Sequence, residues 1–406
     1  MKRSTDRILV SHAGSLPAPE DFMALVEAET PDKSAIDKAL PKGVAEVVRM
    51  QVERGVDVVN DGELSKRTEG GGGFTYYAMA RLGGLEERQF AAGQSPASSR
   101  NITGRDALEY PGFHSRRFGP PPTGPLPPTA PRMRRIAPAI MCTAPLTYVG
   151  RQQVDADVAN LKAATAGQNP SAGSGQAVEG YLPAVAPGTI EHWLFNEHYK
   201  SDEEFLFGIA DAMHDEYKAI TDAGLIVQID DPDLPDGWQM FPDMSVADYR
   251  KYAELRVEAL NHGLRDCPRE LIRLHVCWGS GHGPHVNDIP LEHIVDIILK
   301  VKAECLSIEA ANPRHDHEYR VWETTKLPDG MSLMPGVAGH CTDIVEHPRL
   351  VADRLERYAK LVGKENVIAG TDCGLGTRVA HPEIAWGKLK AMRDGADLAT
   401  KELWAR

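Results

Sequence analysis

The triplet His275-Val276-Cys277, inside the segment LHVCWGSGHGPH (Leu274 to His285), places an imidazole and a thiol two positions apart. On a β-strand that spacing points both side chains to one face, and imidazole with thiolate is a donor pair that zinc favours. Two more residues of ligating type end other apolar runs: Glu309 in LSIEAAN and Cys373 in IAGTDCGLGTR. If those run ends converge, one imidazole, two thiolates and one carboxylate meet at one place. The carboxylate would be the donor that an incoming ligand displaces. A buried cysteine beside a histidine is also an ordinary pair in a packed core, and the residue types alone leave both readings open.

Convergence depends on the elements that carry these residues. Nine short apolar runs can be marked: RILVSHAGS, GVDVVNDGE, APAIMCTAP, YLPAVAPG, LIVQIDDP, LIRLHVCWG, CLSIEAAN, SLMPGV and NVIAGTDCG. Between several of them lie helical patterns, among them VDADVANLKAATAG, LEHIVDIILKVKAE and HPRLVADRLERYAKLVG, with Gly224, Gly263 and Gly363 placed as left-handed residues closing helices. Alternation of β and α over this length predicts a parallel sheet with helical crossovers, and so an α/β fold, either doubly wound or a (β/α)8 TIM barrel. The runs end in Asn60-Asp61-Gly62-Glu63, Asp230-Asp231, His275-Val276-Cys277, Glu309 and Asp372-Cys373. A barrel gathers such strand ends on one face, which favours the barrel. Nine runs exceed eight strands by one, and the first run or SLMPGV is expected outside. The chain, 1–406, then reads as a single barrel domain with an irregular Pro/Gly-rich insertion at about 86–136, densest in FGPPPTGPLPPTAPRMRR. That insertion reads as packing, an arm or a contact between copies of the chain rather than as the functional lid that a long irregular segment can also be. The glycines Gly70 to Gly73 stand outside any strand–glycine–helix context that would cradle a phosphate and read as a turn.

Composition narrows the partners. With 406 residues, 42% of them hydrophobic, the chain can bury a full core. Forty-five basic against 58 acidic residues give a net charge of −13, which repels a phosphate backbone and an anionic membrane surface alike. Neither nucleic acid nor membrane is an expected partner. The start MKRSTDRILVSHAGS has no apolar signal region, no run approaches the roughly 18 apolar residues of a spanning helix, and a soluble, cytoplasmic protein is expected. Six scattered cysteines without a CxxC pair argue against a disulfide framework and for single ligands or nucleophiles.

HVCWG, LSIEAAN and AGTDCGLGTR, in that order, resemble the zinc-binding half of the cobalamin-independent methionine synthase family. SHAGSLPAP, GVDVVNDGE, PGTIEHWLFNEHY and LIVQIDDPDL are similar to further segments of its catalytic domain, so the likeness runs along nearly the whole chain. The resemblance implies a (β/α)8 barrel of the methionine synthase and uroporphyrinogen decarboxylase-like superfamily. It points to the short branch without a second barrel, which also holds epoxyalkane:coenzyme M transferases. Carried over residue by residue, it implies Zn2+ on His275, Cys277, Glu309 and Cys373. Ser15 would hold the carboxylate of homocysteine, Glu63 and Asp230 its ammonium, and Trp193 would stack on a pterin. His282 and His285 then fall to loop positions. The family's general-acid histidine has no register-perfect match: in GVAGHCTDIVEHP, His340 lies one position away and Cys341 takes its place, so the resemblance leaves His340, or else His347, as the expected general acid.

The implied activity is zinc-dependent transfer of a methyl group to a thiolate, homocysteine giving methionine. The partners are a small thiol and a methyl or alkyl donor, folate, corrinoid or other, and a homo-oligomer stays open. Zinc chemistry with coenzyme M opening an epoxide is the near alternative, favoured if Arg314 or Arg378 meets the thiol's tail. Arg314, His315 and His317 are placed either for an acidic substrate group or at a solvated helix start. A metal-free lyase like the uroporphyrinogen decarboxylases would need clustered arginines near the N-terminus, where only Arg3 and Arg7 stand. A non-catalytic zinc protein would need a closed ligand shell.

Overall fold

The structure, a computed structural model, describes residues 1–67, 74–89, 104–113, 139–168, 178–279, 281–376 and 378–405. Eight strands form one all-parallel sheet: β1 (Leu9–Val10), β2 (Val58–Val59), β5 (Glu179–Val185), β7 (Ile226–Asp230), β8 (Ile272–Val276), β9 (Cys305–Ile308), β10 (Ser332–Ala338) and β11 (Ile368–Thr371). Their order is β1-β11-β10-β9-β8-β7-β5-β2. The two ends of that order meet, because the Asp57 amide donates to Val10 O at 2.8 Å and Ser11 Oγ donates to Val58 O at 2.8 Å. The sheet is therefore a nearly closed (β/α)8 TIM barrel, as the alternation of runs and helices predicts.

The strands read as continuous apolar runs because they are buried on both faces, one toward helices and one toward the barrel interior. All five residues of β7, all five of β8 and all seven of β10 are buried. The interior is filled rather than hollow. Arg273 projects from β8, donates to Ser11 Oγ and His12 O, and lies 3.8 Å over the ring of Tyr181 on β5. Around the barrel run long helices with conventional starts: Lys33–Glu53 capped by Asp32, Asp202–Asp222 by Ser201 and Val246–Gly263 by Ser245. Pro348–Val362 and Pro382–Leu403 close the chain, each with proline in its first turn.

Three expectations need correction. The run outside the barrel is APAIMCTAP, whereas the first run and SLMPGV are barrel strands β1 and β10. It forms β4 (Ala139–Tyr148) in a separate three-stranded sheet, antiparallel to β3 (Leu82–Arg88) and parallel to β6 (Leu194–Asn196). Past Cys142 most of β4 is partly or fully exposed, as suits a sheet with one wet face. Second, LEHIVDIILKVKAE is no continuous helix but a 3-10 turn at Leu291–His293 and one short turn at Val295–Ile298. Third, Gly224 and Gly363 do take positive φ, 77° and 90°, but Gly263 is helical, and a Cβ there would sit 3.2 Å from Ala210 O of the neighbouring helix. Its glycine serves close helix packing. Of the 86–136 segment, the described parts are the end of β3 and the chain around the short helix Arg105–Glu109. FGPPPTGPLPPTAPRMRR and Gly70 to Gly73 lie outside the described residues. Among the described residues no helix is long and apolar enough to cross a membrane.

Candidate active site

The barrel register decides which strand-end residues meet. Asp230 on β7 pairs with His275 on β8, and His275 pairs with Ser307 on β9. Ser307 Oγ lies 3.0 Å from His275 Nδ1, so the imidazole is held by one nitrogen while Nε2, fully buried, has no hydrogen-bond partner. The ligand atoms of His275, Cys277 and Cys373 lie within 4.8 Å of one another. Cys277 donates its hydrogen bond to Cys373, which holds the Cys373 thiol well below the ordinary thiol range and pushes Cys277 above it. An orphaned imidazole nitrogen facing two thiols, with its other nitrogen fixed by a hydroxyl, suits a zinc ion.

Glu309 lies outside that triad. Its carboxylate accepts from the Trp278 amide at 2.9 Å and from Asn312 Nδ2 at 2.9 Å, and it groups with His340 and Cys341, again within 4.8 Å. Burial, then the neighbouring Asp372, pushes the Glu309 carboxyl up to about 8. His340 is completely buried and lowered in pKa by that burial. Its Nε2 is 3.2 Å from Cys341 Sγ, and Nδ1 has no partner. Burial, with Glu309, Asp372 and Cys373 nearby, pushes the Cys341 thiol to about 12.

A cavity of about 370 Å³ opens at the same barrel face, with Ser15, Glu63, Asp230, His275, Cys277 and Cys373 in its wall. Trp193, half exposed, and Asp236 also line it, while Glu309 and His340 do not. Ser15 arrives on the loop after β1, tied to the β11 loop because its carbonyl accepts from the amides of Leu375 and Gly376, each at 2.8 Å. Glu63 arrives through the Asn-Asp-Gly-Glu turn: Gly62 and Glu63 both have positive φ, 70° and 59°. Asn60 Oδ1 accepts from the Gly62 amide and Asp61 Oδ1 from the Glu63 amide, at 2.8 and 2.9 Å. Asp230 is fixed by Gln228, which also donates to Ala13 O.

The wall is electrically divided. Burial pushes the Glu63 carboxyl up to about 8 against the opposing charge of Lys66, with Asp230 adding to the rise. Burial also lifts Asp230 to about 6, opposed by His275 and by the bond from Gln228. Asp236, from the helix Asp233–Met240, reaches about 6 by burial and the nearby Asp288. Glu63, Asp230 and Asp236 thus bring three buried carboxyl groups, each with its pKa raised, to one cavity. Among cationic groups, Arg67 donates to Leu16 O and Arg378 lies at the mouth.

Several sequence expectations resolve here. Arg314 and His315 do not line the cavity: Arg314 donates to Val286 O, and His315 is buried between Asp288 and Glu318, stacked 3.9 Å from Trp278. His285 bonds Asp288 and Gly281 O rather than joining the His275 triad. Arg3 and Arg7 bond Gly330 O, Asn366 and Asp57, so they brace the fold. Ser307, Gln228 and Asp236 were not singled out from sequence. Ser307 carried a signal, since it stands two residues before Glu309 on one face of the same run.

The fold and the sequence have counterparts among known proteins. The family described as "Cobalamin-independent synthase, Catalytic domain" matches residues 149–398. A methionine synthase of Thermococcus kodakarensis is 26% identical over 223 residues, 55% of this chain and 58% of that protein. One of Saccharolobus solfataricus is 28% identical over 226 residues, 55% of this chain and 59% of its own length. The matched region thus spans somewhat more than half the length of these curated relatives. Among solved structures, a B12-independent methionine synthase from Shewanella sp. W3-18-1 superposes with a TM-score of 0.70 at 22% identity, covering 98% of this chain and 100% of its own. A putative vitamin-B12 independent methionine synthase from Listeria monocytogenes gives 0.62 at 15%, covering 97% and 99%. At such identities these likenesses establish the shared barrel. The match over more than half of the sequence goes further: the chain belongs to the family of cobalamin-independent synthase catalytic domains.

Proposed function

We propose that this barrel is a zinc-dependent S-methyltransferase whose acceptor is a thiol carrying an ammonium group, homocysteine in the simplest case, with methionine as product. The observation that carries this reading is the placement of His275, Cys277 and Cys373 in the wall of the cavity that also holds Glu63 and Asp230. A free thiol is mostly protonated at neutral pH, and zinc held by those residues would lower its pKa so that the thiolate is the attacking form. The chain's own groups supply the rest. Glu63 and Asp230 take up the ammonium, Glu63 giving up its proton as the cation arrives. Ser15, with the amides around it, receives the carboxylate. Trp193 offers an apolar plate at the mouth for a flat donor. When the methyl leaves a tertiary amine, that nitrogen needs a proton. Asp236, in the cavity wall with its carboxyl raised by burial and the nearby Asp288, is better placed to deliver it than His340, which lies off the cavity.

Purified protein should carry tightly held zinc, and Cys277→Ser or Cys373→Ser should lose most of it; full retention in both variants removes these ligands from the account. Zinc-loaded protein with homocysteine and either methyltetrahydrofolate or methylcobalamin should yield methionine. One observation favours a second reading, an alkyl transfer to coenzyme M from an epoxide: Arg378 stands at the cavity mouth, where a sulfonate would meet it. Turnover of that pair, with no methionine from either donor, would replace the first reading by the second.

A further inference from the structure

The barrel mouth holds more soft ligands than one metal ion uses. Beside His275, Cys277 and Cys373 stands a second set, Glu309, His340 and Cys341, whose ligand atoms also lie within 4.8 Å of one another. Tetrahedral zinc takes four donors, and a reacting site keeps one position for substrate. Six residues with two imidazoles, three thiols and a carboxylate exceed that need.

The second set is arranged as a ligand shell. His340 is wholly buried, its Nε2 faces Cys341 Sγ at 3.2 Å, and its Nδ1 has no hydrogen-bond partner. Asp372 Oδ2 is likewise buried and without a partner, while Oδ1 of the same carboxylate is fixed by the amides of Ala310 and Ala311 at 2.8 and 2.7 Å. A ligating histidine usually passes its second N–H to a carboxylate. His340 Nδ1 and Asp372 Oδ2 are both without such a contact, and they are not bonded to each other. Glu309 connects the sets: its carboxylate accepts from the amide of Trp278, the residue directly after Cys277. Cys341 is partly exposed, which gives an ion a path in from the loop side.

We propose that Glu309, His340 and Cys341 form a second site for a soft or borderline divalent cation, Zn2+ or Cd2+, adjacent to the first, with Glu309 shared between the two. The proposal rests on the zinc assignment of the first triad made above. It places two ions at the mouth of the barrel when zinc is abundant, the second weaker because it has fewer thiolates.

The test is a zinc titration of metal-stripped full-length protein against a chromophoric chelator, with zinc bound per chain as the readout. Wild type should bind two equivalents, the second more weakly. Cys341→Ser and His340→Ala should each keep the tight equivalent and lose the weak one, while Cys277→Ser should lose the tight one. The thiolate count from the absorption of the Cd2+-loaded protein gives an independent reading: it should fall by one in Cys341→Ser. Saturation of wild type at one equivalent, or two equivalents surviving in Cys341→Ser, overturns the second site. Retention of the tight equivalent in Cys277→Ser would instead overturn the first-site assignment.

Discussion

Glu63 sits at φ 59°, in the left-handed region that a residue with a side chain seldom occupies, and it is buried. Such a backbone costs about 1–3 kcal/mol and persists where its surroundings enforce it; here the Asn60 and Asp61 side chains do so. The carboxyl is raised to about 8, so in the ligand-free protein at neutral pH it is largely protonated. An ammonium ligand favours the carboxylate and binding must release a proton. Affinity for an ammonium-bearing thiol should therefore rise with pH between about 6 and 8, and calorimetry in buffers of different ionisation enthalpy should register the released proton at pH 7. The stability sign is opposite: a raised carboxyl favours the folded state below its unfolded pKa, and that contribution is lost as pH rises through about 8. In Glu63→Gln the affinity slope should flatten, and KM for the thiol should rise about 10- to 100-fold, the loss of a charge-assisted bond of about 1.5–3 kcal/mol. A KM that does not move would take Glu63 out of thiol binding. Ser307 makes a separate claim at this scale. It fixes His275 Nδ1, so Ser307→Ala should weaken zinc binding about 10- to 100-fold while leaving the fold intact, as other partners of metal-bound histidines do. Unchanged zinc affinity in a chelator competition would mean that the strand alone orients the imidazole.

Between β10 and β11 the critical residue is a glycine. Gly336 faces Gly370 across the pair, and a Cβ on Gly336 would overlap the Asp372 carboxylate. That carboxylate holds the amides of Ala310 and Ala311 after β9, and its neighbour Cys373 belongs to the metal triad. Gly336→Ala should therefore lower stability by about 1–3 kcal/mol through overpacking and also reduce zinc retention; a drop in denaturation midpoint with zinc affinity intact would uncouple the strand from the site. Elements of this kind divide what sequence conveys from what it hides. Barrel strands were legible because burial on both faces makes them unbroken apolar runs, and the His-x-Cys spacing was legible because strand parity needs no tertiary knowledge. β4 was misplaced because its run has the same composition as a barrel strand. What distinguishes it is its partner β3, whose LGGLEER shows no strand alternation. The helix Lys33–Glu53 has a weak sequence pattern, with Pro41 and Gly43 interrupting it, yet Asp32 caps it and six buried residues seat it. Asp236 stayed hidden for another reason: nothing local separates an acid in a cavity wall from one on a solvated helix, and only the packing of Asp233–Met240 over the mouth does so.

At the scale of the molecule, the barrel's weakest closure is the seam between β1 and β2, two-residue strands whose ends carry Ser15 and Glu63. Asp57 bridges it. Its carboxylate accepts from Arg7 at 2.6 and 2.8 Å, from the Val10 amide at 2.9 Å and from Arg393 of the last helix at 3.3 Å, while its own amide donates to Val10 O. One side chain thus ties the first strand, the second strand and the C-terminal helix together. Asp57→Ala would leave the Arg7 guanidinium and a strand amide without their acceptor, and Arg393 with only Ile8 O and Asp397. The expected loss is on the order of 3 kcal/mol, the lower end for breaking a buried pair because Arg7 stays partly solvated. The seam also positions the polar end of the cavity, so thiol affinity should fall together with stability. Zinc should be retained, since His275 on β8, Cys277 just past its end and Cys373 after β11 are not among the residues that make the β1–β2 closure. Chemical denaturation, zinc content and thiol KM measured on one preparation separate these outcomes. An unshifted midpoint would show that the barrel closes without Asp57, and loss of zinc alongside the midpoint would show that the metal triad depends on closure of the whole ring.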